Sequence, residues 1–342
     1  MAVRTRLSYS LSRLGFGKGK IVVTGMCVAT VTAALALAGC GATTSAPGGS
    51  AGGSGANCTP AAATEAPSPS PLNLTVQADS AASAQVPSSY KSKGTLTIAA
   101  DASYPPNEFT AGNGSIIGMD VDLGSAIAQT IGLKANFVNA SFDGILAGIQ
   151  AGRYDLGMSS FSVTAPREQQ VDFVTYFTAG TSTMVTKCNP AHINTLTDLC
   201  GKSVGAENGT TQLDQLSSAS TGGSIVKLCQ QAGKAAPKAL GFPKQSDVNS
   251  ALQAGRIDAY LADSPVVDYE LKQTGDAFTK VGGDVSTAPY GIAIPKTGGA
   301  LKNAIQAAVQ HLMDDGSYAQ ILSHWGVSSG AVKTADLDPT VS

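Results

Sequence analysis

Two short segments carry side chains suited to binding a small anionic group. Residues 159–167 read Ser-Ser-Phe-Ser-Val-Thr-Ala-Pro-Arg, a run of hydroxyls followed one turn later by the guanidinium of Arg167. A guanidinium presents its N–H donors in a planar fork that matches the two oxygens of a carboxylate. Residues 207–212 read Glu-Asn-Gly-Thr-Thr-Gln, which is typical of an exposed turn before a helix, where backbone N–H groups are unpaired. Both segments favour carboxylate binding, although an arginine alone is more often a solvated surface residue.

A third polar segment follows the first apolar strand. Residues 96–100 are mostly apolar and predict a strand, and the loop at 101–109 reads Asp-Ala-Ser-Tyr-Pro-Pro-Asn-Glu-Phe. Its acids are Asp101 and Glu108, and the sequence leaves the direction of Glu108 open. None of the histidines has the spacing of metal ligands or of a catalytic pair. They are His192, His311 and His324. We therefore expect no metal and no cofactor.

An internal repeat indicates which elements position these segments. The pattern Gln-Ala-Gly-Arg-x-Asp occurs at residues 150–155 and again at 253–258, an offset of 103. Each copy predicts a helix that stops at a glycine and is followed by a buried strand, at 156–158 and at 259–262. The repeat therefore predicts two lobes of similar construction.

The repeat also pairs two polar residues, Ser160 and Asp263, each of which lies just past the end of a predicted strand. From Lys93 onward, short apolar strands alternate with amphipathic helices, which predicts mostly parallel sheets. Ligands of open α/β sheets bind beyond the carboxyl ends of the strands, so we expect these two residues to face each other across a cleft between the lobes. On the repeat alone, both residues are interpreted equally well as strand-end turns.

The composition excludes several classes of protein. A chain of 342 residues accommodates two domains and a core large enough to fold without disulfides. The formal net charge is -2, but residues 1–39 hold five basic residues and no acidic one, which leaves 17 basic against 24 acidic residues in the remainder. Since no basic stripe remains to neutralise phosphates, we expect no nucleic-acid partner.

The N-terminus predicts a lipoprotein signal peptide over residues 1–39. A basic stretch ending at Lys20 precedes an uncharged apolar run at 21–38, and Leu-Ala-Gly-Cys then ends at Cys40. A transmembrane helix is the alternative, but 18 residues are short for a span, and the small residues before the cysteine favour cleavage. The tetrad resembles the bacterial lipobox, which implies that Cys40 is lipidated. We therefore expect a protein anchored to the cell membrane and facing outside the cytoplasm.

The next stretch, residues 40–90, predicts a disordered tether. It consists mainly of Ala, Gly, Ser, Thr and Pro, with few charges and almost no aromatic residues. Such a segment buries too little apolar surface to offset its conformational entropy. The tether would let the folded body move away from the membrane while remaining attached.

Several spaced motifs together resemble one bacterial family. They are Gly-Met-Asp-Val-Asp-Leu at 118–123, Val-Asp-Phe-Val-Thr at 171–175 and Pro-Tyr-Gly-Ile-Ala-Ile at 289–294. With the hydroxyl segment at 159–167 and a last amphipathic helix around Trp325, they make the chain from about residue 94 to residue 327 similar to the extracellular solute-binding proteins of family 3. Members of this family deliver polar amino acids to ATP-driven importers in bacteria.

The resemblance implies an α/β fold of the type II periplasmic-binding-protein-like class. Each lobe would hold a mostly parallel sheet flanked by helices, and two crossover strands would join the lobes. Residues 91–186 and 287–330 would form lobe 1, and residues 187–286 would form lobe 2. Residues 331–342 would be a C-terminal tail. We expect a monomer.

The resemblance also implies how the ends of an amino acid are held. Arg167 would bind the ligand carboxylate, helped by Ser162 and Thr211. Asp263 would bind the ammonium group, together with Ser160. This assignment agrees with the chemistry of the residues, because a zwitterion needs an anion-binding and a cation-binding group a few ångströms apart.

The ligand side chain would be read by other residues. In the resemblance, Tyr104 and Phe142 flank the ligand side chain, Asp101 contacts its distal polar group, and Gln212 is a weaker neighbour. A carboxylate in a poorly hydrated pocket favours cationic, amide or imidazole groups and opposes another carboxylate. We therefore expect arginine, lysine, histidine or glutamine rather than glutamate or aspartate, unless loop amides hold Asp101 away from the ligand.

The cysteines predict one disulfide in lobe 2. With the signal-peptide cysteine removed and the lipobox cysteine acylated, four remain in an oxidising compartment. We expect Cys200 to pair with Cys229, which would stabilise the fold by roughly 3.5 kcal/mol. Cys188 would be free or would compete for Cys200, with Cys58 as the remaining candidate partner.

Two other functions are compatible with the sequence. A few dehydratases share this fold and use an acid in the cleft, where Asp101 or Glu108 could serve, but no base, nucleophile or metal cluster accompanies them. A lipoprotein that reports its ligand to a membrane receptor would show the same features. The sequence predicts a non-enzymatic, amino-acid-binding lipoprotein that serves the permease subunits of an ABC importer, with signalling left open as an alternative output.

Overall fold

The computed structural model describes residues 70–72 and 74–339. The predicted signal peptide, Cys40, Cys58 and most of the predicted tether lie outside the described residues. Within the described ranges, no helix has the length and apolar character needed to cross a bilayer.

The described chain alternates strands and helices along most of its length. The helices are α1 (Ser80–Ala84), α2 (Ser88–Lys93), α3 (Met119–Thr130), α4 (Phe142–Gln150), α5 (Ala165–Glu168), α6 (Thr211–Ser217), α7 (Ile225–Gln231), α8 (Gln245–Gln253), α9 (Ser264–Thr274), α10 (Leu301–Asp314) and α11 (Ser317–Trp325). The strands are β1 (Thr95–Ala100), β2 (Ser103–Tyr104), β3 (Glu108–Thr110), β4 (Ile116–Ile117), β5 (Lys134–Asn139), β6 (Leu156–Gly157), β7 (Val171–Thr186), β8 (Ser203–Glu207), β9 (Lys238–Phe242), β10 (Ala259–Asp263) and β11 (Phe278–Pro295).

The two copies of the internal repeat have the same fold. α4 leads into β6 in the first copy, and α8 leads into β10 in the second. Gly152 and Gly255 follow the helices with φ of 70° and 66°, the left-handed conformation that ends a helix and that glycine adopts without a steric penalty. Ile145 and Ile149 are buried one turn apart on α4. The predicted order of helix, glycine and strand is confirmed in both copies.

Most strands belong to one sheet, with the order β5-β1-β6-β11-β7-β10-β8-β9. β1 runs parallel to β5 and β6, and β8 runs parallel to β9 and β10. The long strands β7 and β11 pair antiparallel in the middle, from Val171 opposite Pro295 to Thr186 opposite Phe278. We call the half with β5, β1 and β6 lobe 1 and the half with β10, β8 and β9 lobe 2. The predicted α/β fold with two crossover strands is confirmed.

The strand directions bring the polar segments to one edge. In lobe 1, β1 ends at Ala100 and β6 ends at Gly157. In lobe 2, β8 ends at Glu207 and β10 ends at Asp263. Because parallel strands end at the same edge of a sheet, the loops that follow these strands gather beyond the carboxyl ends of each half-sheet.

Each lobe buries apolar side chains on both faces of its half-sheet. In β1, Ile98 packs in one cluster with the apolar side of α3, while the adjacent Ala99 packs in another cluster with α4. In β10, Tyr260 packs with α8, whereas the adjacent Leu261 packs with α6 and α7. Successive strand residues point to opposite faces, so helices on both faces give each lobe its own core. These cores hold the loops at the strand ends in place.

The disulfide predicted between Cys200 and Cys229 is present. It joins the segment before β8 to α7, and Cys229 is fully buried in the core of lobe 2. Cys188 is also disulfide-bonded. The expectations that Cys188 is free or competes for Cys200 are therefore wrong.

The predicted tether over 40–90 is too long at its C-terminal end. The described residues between 70 and 90 pack on lobe 1, where the backbone N–H of Leu72 donates to Asp122 Oδ2 at 2.9 Å. Val86, between α1 and α2, is buried in the core cluster of lobe 1. Scattered aliphatic residues in this segment cover an apolar surface of lobe 1. The average composition of residues 40–90 does not reveal them, because small and polar residues predominate there. The ordered body therefore begins before residue 91.

The described part of the predicted C-terminal tail at 331–342 bonds to β7. The N–H of Phe173 donates to Asp338 Oδ1 at 2.7 Å, and the N–H of Thr175 donates to the carbonyl of Asp336 at 2.9 Å. In lobe 1, β7 pairs with β11 on one side, so its other edge exposes unpaired backbone groups. The tail supplies partners for that edge, as expected for backbone groups that must be satisfied.

Candidate functional site

A small cavity lies where the strand ends of the two lobes meet. Its lining includes all nine residues that the sequence predicts as ligand contacts: Asp101, Tyr104, Phe142, Ser160, Ser162, Arg167, Thr211, Gln212 and Asp263. The cavity is also lined by Glu108, Ser159, Glu207 and Thr210. Residues from segments more than a hundred positions apart are thus brought to one site.

Arg167 forms one charged wall of the cavity. Its Nη1 donates to the carbonyl of Ser162 at 2.8 Å, and its Nη2 donates to the carbonyl of Gly209 in lobe 2 at 2.9 Å. The guanidinium also lies over the rings of Phe142 and Phe161, at 5.5 and 5.6 Å from their centroids. These contacts fix the side chain and use two of its five N–H donors. The other donors remain for a ligand.

Arg167 keeps its charge in this environment. Burial lowers the pKa of Arg167 to about 10, while the negative charges of Asp263 and Asp214 oppose that shift. A group with this pKa is protonated at neutral pH. The wall therefore presents a desolvated cation to the cavity.

The loop that accepts a bond from Arg167 approaches lobe 1 closely. Gly209 has φ of 77°, and a Cβ atom at this position would lie 2.9 Å from the Cβ of Asp143 in lobe 1. A glycine is needed here both for the backbone conformation and for the close approach. The lobes are therefore in contact around the cavity.

Asp263 provides an opposite charge. Its Oδ1 accepts a hydrogen bond from Gln212 Nε2 at 2.7 Å, and its Oδ2 accepts one from the hydroxyl of Tyr104 at 3.0 Å. Burial raises the pKa of Asp263 to about 6, and the nearby charge of Arg167 lowers it. At neutral pH, Asp263 is therefore predominantly a carboxylate. Each of its oxygens retains acceptor capacity for a further donor.

Ser160 has an unusual backbone conformation that buried acids support. Its φ is 53°, which is rare outside glycine, and its N–H donates to Asp120 Oδ2 at 2.9 Å. Its hydroxyl accepts from Asn107 Nδ2 at 2.9 Å and lies 3.3 Å from Glu108 Oε2, to which it can donate. These bonds hold the Ser160 side chain at the cavity wall.

The structure answers the open question about Glu108. Its side chain is fully buried, accepts from Ser159 Oγ at 2.8 Å and lies beside the Asp120 carboxyl. Burial and the charge of Asp120 raise the pKa of Glu108, and burial raises that of Asp120 to about 6. The hydroxyl of Tyr176 donates to Asp120 at 2.8 Å. Glu108 is thus part of a buried network behind Ser160.

A second pair of acids closes another end of the cavity. Asp101 Oδ2 accepts from the N–H of Phe142 at 3.0 Å, and Glu207 reaches the same region from lobe 2. Burial, followed by the charge of Asp101 and a hydrogen bond with it, raises the pKa of Glu207 to about 9. Burial also raises the pKa of Asp101. Because a hydrogen bond joins the two carboxyls, they share a proton.

Glu207 is a residue that sequence reasoning missed as a site residue. It is the last residue of β8, just as Asp263 is the last residue of β10. The rule that ligands bind beyond strand ends applies to both residues equally. The position of Glu207 in the chain was therefore a usable signal.

The start of α6 completes the cavity wall. Thr210 caps this helix, because its Oγ1 accepts from the N–H of Leu213 at 3.2 Å, and its hydroxyl also lies 2.7 Å from the carbonyl of Glu207. The capping contact places Thr211 and Gln212 at the first turn, where both line the cavity.

Across the part of the chain that the structure describes, no three His, Cys, Asp or Glu side chains are grouped to hold a metal ion.

The site as a whole offers three kinds of contact. A buried guanidinium suits a carboxylate, a buried carboxylate with hydroxyl neighbours suits an ammonium group, and a pair of acids suits a further positive group. Phe142 stacks on Phe161 with ring centroids 4.7 Å apart and forms an apolar wall beside them. This combination matches a zwitterion with a basic side chain.

Comparison with known proteins gives a consistent result. Residues 96–328 match the family model of the bacterial extracellular solute-binding proteins, family 3. The arginine-binding protein ArgT of Corynebacterium glutamicum is 32% identical over 253 residues, which span 74% of this chain and 81% of that protein.

Solved structures show the same likeness. An ancestral arginine-binding protein bound to arginine is 35% identical, with a TM-score of 0.61, and the match covers 68% of this chain and 98% of that chain. An ancestral amino acid-binding protein, described as a precursor of cyclohexadienyl dehydratase, is 30% identical with a TM-score of 0.60 and coverages of 70% and 98%.

Proposed function

Because the chain belongs to the bacterial extracellular solute-binding proteins of family 3, we propose that it binds an amino acid between its lobes and delivers it to an ABC importer. The observation that carries this proposal is the placement of Arg167 and Asp263, two buried groups of opposite charge from different lobes, in the lining of one cavity. A free amino acid presents the complementary pair of charges.

The ligand backbone is held at both ends. Its carboxylate binds the free donors of Arg167, with Ser162 and Thr211 alongside. Its ammonium group binds Asp263 and Ser160. Each charge pair forms in a cavity from which closure of the lobes removes water, so the interaction is stronger than at an exposed surface.

The ligand carries a polar or cationic side chain. The cavity holds the carboxyls of Asp101 and Glu207 against the aromatic wall of Phe142. Two proteins similar to this chain, reported above, are named as arginine-binding proteins. An acidic side chain would place a further negative charge beside two buried carboxyls, which is strongly unfavourable.

Binding rather than catalysis is the activity of the cleft. Glu108 is one of the two acids that the sequence offers as a catalytic residue. It accepts a hydrogen bond from Ser159 and lies beside Asp120 in a buried network. Two proteins similar to the chain are named for arginine binding. The dehydratase alternative is tested by incubating the protein with a prephenate-like substrate. Turnover that depends on Glu108 would contradict the proposal.

The protein works outside the cytoplasm, as its family does. Acylation of Cys40 anchors it to the membrane, and the residues between Cys40 and residue 70 connect the anchor to a monomeric body. Intact-mass measurement of the native protein tests the anchor. A mature chain that begins at Cys40 and carries diacylglycerol is expected, and an unmodified chain that starts at Met1 would refute it.

Ligand binding is tested by a thermal-shift screen of the twenty amino acids against the protein. The screen must retain residues 70–90, because they belong to the ordered body. A ligand at a hundredfold excess over its Kd should stabilise the protein by about 2.7 kcal/mol. Uptake of the same amino acid should be lost in cells that lack the protein. Stabilisation by no amino acid would refute the proposal.

A further inference from the structure

The acidic end of the cavity is built from both lobes. Asp101 follows β1 in lobe 1, and Glu207 ends β8 in lobe 2. Both side chains are 3% exposed. Glu207 Oε1 is fully buried and has no hydrogen-bond partner among the described residues. A buried polar atom without a partner is rare in folded proteins and needs an explanation, and this one faces the cavity region that Asp101 lines.

The surroundings of Glu207 favour a positively charged partner. Burial and the neighbouring Asp101 keep a proton on Glu207 and raise its pKa to about 9, and Asp263 and Asp143 add to that effect. Among the described residues that line the cavity, Arg167 is the only cation, and it donates to the carbonyls of Ser162 and Gly209 instead. The described lining therefore places no cation at the acidic end, and the charge of Lys244, outside the lining, lowers the pKa of Asp101 without reversing its rise.

We propose that Glu207 and Asp101 together bind the guanidinium of an arginine ligand, and that Glu207 is the residue that selects arginine over neutral amino acids of the same length. This inference rests on the proposed function. A guanidinium has five N–H donors in one plane, so it can bond to two carboxylates at once. Asp101 has one oxygen occupied by the N–H of Phe142, and Glu207 supplies the acceptors that Asp101 lacks.

Because both lobes contribute to the acidic end, a bound guanidinium would join the lobes when they close. The guanidinium meets Asp101 in lobe 1, and it meets Glu207 when lobe 2 closes over it. The side chain of the ligand thus joins the lobes at a second place, away from the one where its backbone meets Arg167 and Asp263. A neutral side chain leaves the two acids to share a proton and gains no charge pair on closure.

The test is the preference for L-arginine over L-citrulline, which has the same length and a neutral ureido group. We expect calorimetry to show at least 100-fold tighter binding of arginine by the wild-type protein. Glu207→Gln should lower this ratio at least tenfold, mainly by weakening the binding of arginine. Glu207→Asp should retain the preference for arginine. Glu270→Gln, a matched change in α9 of lobe 2 outside the cavity lining, should leave the ratio unchanged.

The outcomes separate the two proposals. If the wild-type protein binds no amino acid, the proposed function fails and this inference fails with it. If amino acids bind but Glu207→Gln keeps the wild-type ratio, or the wild-type protein binds citrulline as tightly as arginine, only the inference on Glu207 is overturned. A general loss of stability in the variant would weaken the binding of both ligands equally. It therefore cannot imitate a change in the ratio of the two affinities.

Discussion

The hydroxyl of Tyr104 in lobe 1 bonds twice to Asp263 in lobe 2. It donates to Asp263 Oδ2 and accepts from the backbone N–H of Asp263, both at 3.0 Å. Tyr104 is thus a contact between the lobes as well as a wall of the cavity. These two bonds hold the Asp263 carboxylate in a fixed orientation at the cavity wall.

Replacing Tyr104 by Phe should therefore weaken ligand binding without abolishing it. A typical hydrogen bond contributes about 0.5–1.5 kcal/mol, so we expect about a threefold to tenfold rise in Kd. The change should act mainly through faster dissociation, because the closed arrangement loses a contact. Stopped-flow kinetics measures both rates, and Tyr269→Phe outside the cavity serves as the control. An unchanged dissociation rate would show that the contact between the lobes has no energetic role.

Replacing Arg167 by Ala should abolish binding. The ligand carboxylate would be left in a desolvated cavity without its charged partner, a loss of about 2–5 kcal/mol. Calorimetry on the folded variant is the measurement, with circular dichroism to verify the fold. Arg256→Ala, at an exposed position in lobe 2, is the matched control and should bind as the wild-type protein does. Wild-type affinity in Arg167→Ala would mean that the ligand binds elsewhere.

Glu207 should make the ligand-free protein less stable as pH rises. Its pKa is raised from 4.5 to about 9 in the folded protein. Between these values the folded protein retains a proton that the unfolded chain releases, so the free energy of unfolding falls with rising pH, by at most about 1.4 kcal/mol per pH unit. Below pH 4.5 both states are protonated and the contribution is fully present.

The Glu207→Gln variant should lack this part of the pH dependence. Urea unfolding between pH 5 and pH 8, without ligand, should give a shallower decline in stability for this variant than for the wild-type protein. Asp247→Asn, an exposed acid in α8, should follow the wild-type curve. Parallel curves for Glu207→Gln and the wild-type protein would show that the carboxyl is not buried in the ligand-free state.

The disulfide between Cys200 and Cys229 should stabilise lobe 2 without affecting the ligand. The two residues are 29 positions apart, and the chain-entropy relation gives about 3.5 kcal/mol for such a loop. A variant with both residues changed to Ala should lose about this much in urea unfolding and keep its ligand affinity. Recovery of both cysteines as free thiols in peptide mapping without reduction would refute the pairing.

The described residues between 70 and 90 should be required for full stability. A chain that begins at residue 91 loses the buried Val86 and the hydrogen bond between Leu72 and Asp122. Burial of one valine-sized side chain contributes about 1.5–3 kcal/mol, so the loss should be at least of that size relative to a chain that begins at residue 70. Ligand affinity should be unchanged. Equal stability of the two chains would show that the segment is a tether after all.

Much of the architecture could be predicted from local patterns. The repeat at 150–155 and 253–258 predicts two similar lobes, because a helix, its glycine stop and the next strand depend on neighbouring residues. Strand ends then predict where Ser160 and Asp263 lie. The roles that the family resemblance implies for the nine predicted residues are compatible with their shared cavity, and ligand-binding experiments must test them.

The sequence by itself determined the two-lobed α/β fold, the gathering of polar loops at the strand ends and the pairing of Cys200 with Cys229. Only the tertiary structure decided that Glu207 faces Asp101, that Glu108 turns into a network with Asp120, and that the segment before residue 91 covers lobe 1. These contacts join residues from separate elements, and in the first case from separate lobes. Burial, side-chain direction and the charge of a distant neighbour arise only when the lobes pack, so no local pattern records them.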